Sequence, residues 1–202
     1  MARLPHHGEF AIKLVLSRGV EHGPAPTAWL SASPAADFTA AREQGIRVVV
    51  LDRGLAHDAA AKAPWLLLGA KTLSYATNMA AIREAKRRGA DDALFVSSDG
   101  YVMEGPTSSV ILRHGDVYST PEPSGAILRG TTQSSLFEFL EREGRTTAYR
   151  DIPIAELATA DAVWLVSSVR LAVGVTSLDG ASVAYDAAET RGFNDYLLSP
   201  RD

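Results

Sequence analysis

The sequence predicts an α+β fold. Two Ser/His-Gly-type turns, SSDG and RHGD, each sit between apolar runs, which is the short-range signal of a β-hairpin. Amphipathic stretches closed by glycine flank these hairpins, as helices do. Strands and helices do not alternate one for one, as a doubly wound parallel sheet requires.

Taken in order, AIKLVLSRG is a strand that ends in a turn, with Ile12, Leu14 and Leu16 alternating with Lys13 and Val15. TAWLSASP is a second strand, stopped by Pro34, and VEHGPAP between the two is a hairpin-like loop. ADFTAAREQG has a helical pattern with Gly45 as its C-cap. IRVVVLD is a β-branched strand expected to be buried on both faces. RGLAHDAAAKAP is small and polar without apolar periodicity, and reads as a linker over residues 53–63. It separates a small N-terminal part, 1–52, from a larger part, 64–202.

PWLLLGA reads as a buried strand, and LSYATNMAAIREAKRRG as an amphipathic helix ended by Gly89. DDALFVSSDGYVMEG and SSVILRHGDVYSTP are the two hairpins. ILRGTTQSSLFEFLEREG is a loop opening a helix, with Thr131 or Thr132 as N-cap. TTAYRDIPIAELATAD gives a strand and a short helical turn. AVWLVSSVRLAVGV gives a buried strand, a break at Ser167–Ser168 and a further extended segment. A helix around TRGFNDYLL closes the chain. There is no internal repeat and no low-complexity tract.

Composition narrows the function classes. The 202 residues are enough to bury a core. A net charge of −4 without a basic tract argues against nucleic acid as a partner. KRR at 86–88 reads as the cationic last turn of a helix. With no cysteine there are no disulfides and no thiolate metal ligands. No apolar run approaches the roughly 18 residues of a membrane span, and MARLPHHGEF lacks the apolar region of a signal peptide. A cytoplasmic protein without membrane contact is expected. HHG at 6–8 has no third ligand nearby in sequence and reads as a chain terminus, not a metal site.

Four places could carry chemistry. Lys71 stands between the apolar run and the start of a helix, with Tyr75 four residues on. It is either a helix-start lysine reaching to solvent or a desolvated amine able to attack an aldehyde. Glu104 ends a strand before Gly-Pro, as a solvated charge or as a carboxylate partner for a cationic ring nitrogen. Gly130, Thr131 and Thr132 lead into a helix, either as a plain cap or as an anion site. Ser167 and Ser168 follow a buried strand, where paired hydroxyls cap a turn or hold a phosphate. Arg18 and Arg170 are cationic candidates for a substrate carboxylate, with a solvated strand-end arginine as the alternative for each.

The four pieces in this order resemble the aminotransferase class IV enzymes, the fold type IV group that uses pyridoxal phosphate. The motifs are AKTLSYATN, GADDALFVSSDGYVMEGPTSSVIL, STPEPSGAILRGTTQ and ADAVWLVSSVRLAVGVTSLDG, with 33 residues from Lys71 to Glu104. The likeness runs from about Ile12 to Gly180. It implies a partial small α/β domain followed by a larger mixed α/β pseudo-barrel domain. It implies that Lys71 is the Schiff-base lysine and moves a proton between substrate Cα and the cofactor. Glu104 would pair with the pyridine nitrogen and Tyr75 would approach the ring hydroxyl. Gly130, Thr131 and Thr132 would take the phosphate with help from Ser168. A homodimer acting on a small amino substrate is implied as well.

The sequence departs from the family pattern at Ser74 and Ser109, where asparagine is usual, and at Arg129, where proline is commoner. The family also carries a longer segment before the strand matching AIKLVLSRG, including an arginine that clamps the phosphate, whereas MARLPHH offers only Arg3. The chain therefore reads as a shortened member, a mis-started frame or a fragment. Its texture is nearer the 4-amino-4-deoxychorismate lyase and D-amino acid branches than the branched-chain one. The expected reaction is pyruvate elimination giving 4-aminobenzoate, with amino acid transamination or an inactive remnant as alternatives.

Overall fold

The structure is a computed structural model that describes residues 9–123 and 125–200. The HHG reading and Arg3 lie outside the described residues. The chain divides into two compact units, the first ending at Phe38 and the second beginning at Thr39.

The first unit holds an antiparallel ribbon of β1 (Phe10–Ser17) and β2 (Thr27–Pro34), in register from Phe10 opposite Pro34 to Ser17 opposite Thr27. Both strands fall where the alternation places them. Ile12, Leu14 and Leu16 are nevertheless exposed, because a two-stranded ribbon has little with which to cover a face.

The second unit is built on a mixed eight-stranded sheet of order β4-β3-β9-β8-β5-β6-β7, with β10 at β9. These strands are β3 (Ile46–Asp52), β4 (Asp92–Val96), β5 (Ser109–His114), β6 (Val117–Pro121), β7 (Thr146–Arg150), β8 (Ala162–Ser167), β9 (Leu171–Leu178) and β10 (Ala181–Ser182). Pairing is parallel for β3–β4, β3–β9 and β6–β7, and antiparallel for β5–β6, β5–β8, β8–β9 and β9–β10. The helices are α1 (Thr39–Gln44), α2 (Ala59–Lys62), α3 (Ala76–Arg87), α4 (Thr131–Arg142) and α5 (Ala187–Leu198). α1 ends at Gly45, as the glycine predicts. Its φ of +75° suits a residue without a side chain, and a Cβ there would lie 2.7 Å from the Gly174 carbonyl oxygen.

The central strands are apolar throughout because both faces are covered. Along β8 the side chains divide by parity. Val163 and Leu165 pack with Val48, Leu94, Val110 and Val173 on one face. Ala162, Trp164 and Val166 pack on the other with Leu136 and Phe137 of α4 and Phe193 of α5. α3 covers β3 and β4 through Ala81 and Ala85 against Val49, Ala93 and Phe95. α5 is pinned further by polar contacts. Arg113 and Tyr118 both bond Glu189, and Asn194 exchanges two hydrogen bonds with the backbone of Ala172.

Three expectations are corrected. The boundary does not fall at 53–63. β3 is hydrogen-bonded between β4 and β9, so residues 39–52 belong to the larger unit. The 53–63 segment is likewise part of that unit and contains α2. PWLLLGA is not a strand. Pro64–Leu66 is a 3-10 turn, closed by Leu67 with φ +52°, and Trp65, Leu66 and Leu67 are exposed. A proline that cannot donate and a left-handed residue break the extended run.

Trp164 is fully buried and its indole N–H donates to Thr190 at 2.8 Å. Trp164→Ala is expected to cost about 3–5 kcal/mol, read as a lowered urea midpoint with a nearly unchanged slope.

Candidate active site

α3 and α4 bring their N-terminal ends to one cavity of about 650 Å³ in the second unit. The loop before α3 supplies Lys71, and the N-cap of α3 is Tyr75. Lys71 Nζ donates to the Tyr75 hydroxyl four residues on at 3.3 Å, and both residues line the cavity. Lys71 is exposed and lines the cavity together with Leu66, Leu67 and Leu68 of the run before it. Asn78 on the next turn donates to the Pro106 carbonyl oxygen at 2.6 Å, which ties α3 to the turn after Glu104.

Glu104 lines the same cavity. Backbone hydrogen bonds from Phe95 N to Glu104 O and from Met103 N to Phe95 O lay its segment beside β4. Its carboxylate accepts from the Leu128 amide at 3.1 Å and from Arg53 at 3.2 Å, and the Arg53 and Glu104 side chains are each only 12% exposed. Burial pushes the Glu104 carboxyl above the usual carboxylate range, against the pull of the Leu128 amide, Arg53 and Lys71.

Arg53 was not legible as a functional residue, since it opens the stretch that reads as a linker. The signal available was its place at the end of a buried strand: a carboxylate buried elsewhere needs a cation. The segment carrying Arg53 is fastened to the turn after β4. Arg53 N donates to Val96 O and Ser98 N to Leu55 O, each at 2.9 Å. The His57 ring pairs with Asp99 at 2.6 Å, a contact that raises the imidazole pKa.

α4 begins at Gly130, an extended N-cap with no side-chain cap. Thr131 and Thr132 are therefore the first helical residues and not the cap expected of one of them. Without a side-chain cap, the first N–H groups of the helix and its positive dipole end remain available to an anion. Gly130 permits the close approach: a Cβ there would lie 2.3 Å from Ser109 Oγ. Ser167 and Ser168 line the same cavity from the end of β8.

The structure thus gathers Lys71, Tyr75, Glu104, Gly130, Thr131, Thr132 and Ser168 around one space. It does not bring Arg170 there. That side chain is buried against Asp92, 2.7 Å away, where the buried carboxylate claims its charge. Arg18 is exposed just past β1 in the first unit. Among the described residues no cluster of three or more His, Asp or Glu could hold a metal, and no helix is long and apolar enough to cross a membrane.

A lysine beside a phenolic hydroxyl, a buried carboxylate backed by arginine, and an uncapped helix start around one cavity define a class. The chain belongs to the amino-transferase class IV family, whose model matches residues 2–178. It is 48% identical over 180 residues to a bifunctional aminodeoxychorismate lyase / D-amino acid transaminase of Mycobacterium tuberculosis, covering 85% of this chain and 62% of that protein. It superposes with a TM-score of 0.90 on the fold IV-transaminase CpuTA1 of Curtobacterium pusillum, at 54% identity, over 95% of this chain and 64% of that one. A hypothetical aminotransferase of M. tuberculosis in its PLP-bound form matches with a TM-score of 0.87 and 44% identity, over 94% and 67% of the two chains. The chain therefore spans somewhat less than two thirds of the length of the first two relatives.

Arg53→Met leaves Glu104 buried without its cation. The expected loss is about 3–5 kcal/mol at neutral pH. It should shrink as pH falls, because Glu104 then protonates; urea denaturation at two pH values reads both.

Proposed function

We propose that this chain carries the cofactor site of a pyridoxal-phosphate enzyme and that the reaction is 4-amino-4-deoxychorismate lyase-like. The observation that carries the reading is the pairing across one cavity of the Lys71–Tyr75 contact with the buried, arginine-backed Glu104. The residues present fit the cofactor. The cavity volume lies within the usual range of about 300–1,000 Å³ for small-molecule sites. Glu104 would hold the ring nitrogen, Tyr75 the ring hydroxyl, Lys71 the aldehyde carbon, and the α4 N-terminus with Ser168 the phosphate. The cofactor supplies an electron sink for the pair left at substrate Cα.

The chain's own groups do the rest. The Lys71 amine takes and returns the proton at substrate Cα, which requires an amine within hydrogen-bond reach of that carbon. The Tyr75 hydroxyl, accepting from Nζ, orients the amine toward the cavity. Glu104, made more basic by burial, is the stronger for it as an acceptor of a ring N–H. Arg53 keeps that carboxylate in place. The lyase reading is supported by the name of the M. tuberculosis relative. That same name, with that of CpuTA1, supports amino acid transamination as the second reading. A homodimer acting on a small amino substrate completes the proposal.

The test is the absorbance of the purified chain with pyridoxal phosphate, before and after borohydride, beside Lys71→Ala. A visible band that reduction fixes on Lys71, by peptide mapping, and that the variant lacks, is expected. A folded wild-type chain with no band overturns the reading and leaves a non-catalytic remnant.

Reaction type is read separately. Pyruvate released from 4-amino-4-deoxychorismate without an acceptor keto acid is the expected result. Turnover of an amino acid only in the presence of 2-oxoglutarate identifies the aminotransferase instead.

A further inference from the structure

The connection from β8 to β9 is held more firmly than a surface turn requires. Leu171 has φ +66° although it is neither glycine nor asparagine, and its side chain is only 9% exposed. A non-glycine residue in that region costs of order 1–3 kcal/mol and persists only where its surroundings impose it.

The surroundings here are three clamps from three elements. From α1, Arg42 donates Nε to the Arg170 carbonyl oxygen at 3.0 Å and Nη2 to the Val169 carbonyl oxygen at 3.2 Å. From β4, Asp92 draws in the Arg170 side chain. The two lie 2.7 Å apart at 4% and 15% exposure, without hydrogen-bond alignment at Nη2, so the contact is an ion pair. From α5, Asn194 accepts from Ala172 N and donates to Ala172 O, at 3.0 and 2.9 Å. Residues 169–172 are thus fixed one after another, and directly before them Ser167 and Ser168 line the cavity shared with Thr131 and Thr132.

We propose that Arg42 and the Arg170–Asp92 pair are positioning residues for the phosphate end of the site, acting through the turn to set the Ser168 hydroxyl toward a phosphate ester. This rests on the pyridoxal-phosphate reading of the cavity. It gives Arg170 a role behind the turn and not at a substrate carboxylate. A hydroxyl on a loose turn must be ordered when the ligand arrives; one on a clamped turn is ordered already, and binding is tighter by that difference.

The experiment compares dissociation constants of the full chain for pyridoxal phosphate and for pyridoxal, which lacks the phosphate. The variants are Arg42→Ala, Ser168→Ala and their combination. Arg42→Ala should weaken pyridoxal phosphate about tenfold, the scale of one hydrogen bond to an anion, and leave pyridoxal unchanged. In the Ser168→Ala background it should have no further effect, because coupled residues are not additive. Arg42→Gln, which keeps one donor, replaces the alanine variant if that one does not fold, with a smaller loss of the same selectivity. Equal weakening of both ligands, additive losses, or no loss with a wild-type chain that binds pyridoxal phosphate overturns the inference alone. A wild-type chain that does not bind pyridoxal phosphate overturns the reading of the cavity and this inference with it.

Discussion

Keeping a carboxylate in the wall of a cavity governs much of this structure. Glu104 loses most of its water, and a carboxylate so placed is tolerated only with a cation and further donors around it. Arg53 and the Leu128 amide supply them. Each donor needs its own support. Arg53 is held by backbone bonds to the end of β4 and by the His57–Asp99 clasp, while Leu128 lies two residues before the N-cap of α4. The end of β3, the turn after β4 and the approach to α4 are thereby fixed relative to one carboxylate.

The same arrangement separates two electrostatic tasks. Arg53 is committed to Glu104, and Arg170 to Asp92. Neither guanidinium is free to neutralise a ligand. Lys71 at one stretch of the wall, and Arg129 with the N-terminal end of α4 at another, are positive features lining the open space. A ligand with an electrophilic carbon and an anionic tail meets complementary groups at both.

Much of the fold was legible because its signals are local. The β5–β6 hairpin turn, Gly45 after α1 and the buried run of β8 can be read within a few residues, whereas the SSDG turn is followed by isolated bridges at Tyr101 and Val102 and not by the expected second strand. What failed was decided at long range or by one residue. PWLLLGA has the composition of a buried strand, but Pro64 and the left-handed Leu67 deny it a ladder. The 53–63 stretch shows no periodicity because it is tied to the larger unit by backbone bonds, by His57 and by the small side chain of Ala60, and not by a repeating apolar face. At the site, Lys71, Tyr75, Glu104 and the Gly-Thr-Thr start were legible only as an ordered set matched to a family, since each alone has a plain structural reading. Arg53 and Arg42 were not legible, because their partners stand 51 and about 128 positions away in sequence.

Leu171 has one more consequence. A turn that reached the same backbone shape with glycine could open and close without disturbing anything beneath it. Here the residue in the left-handed region also places its side chain among buried neighbours, between β8 and the first hydrogen bonds of β9. The turn cannot fray by itself, since releasing its backbone withdraws a leucine from the interior. The Ala172 amide, which donates to Asn194 at the foot of the turn, is therefore expected to exchange with solvent only when the sheet opens there.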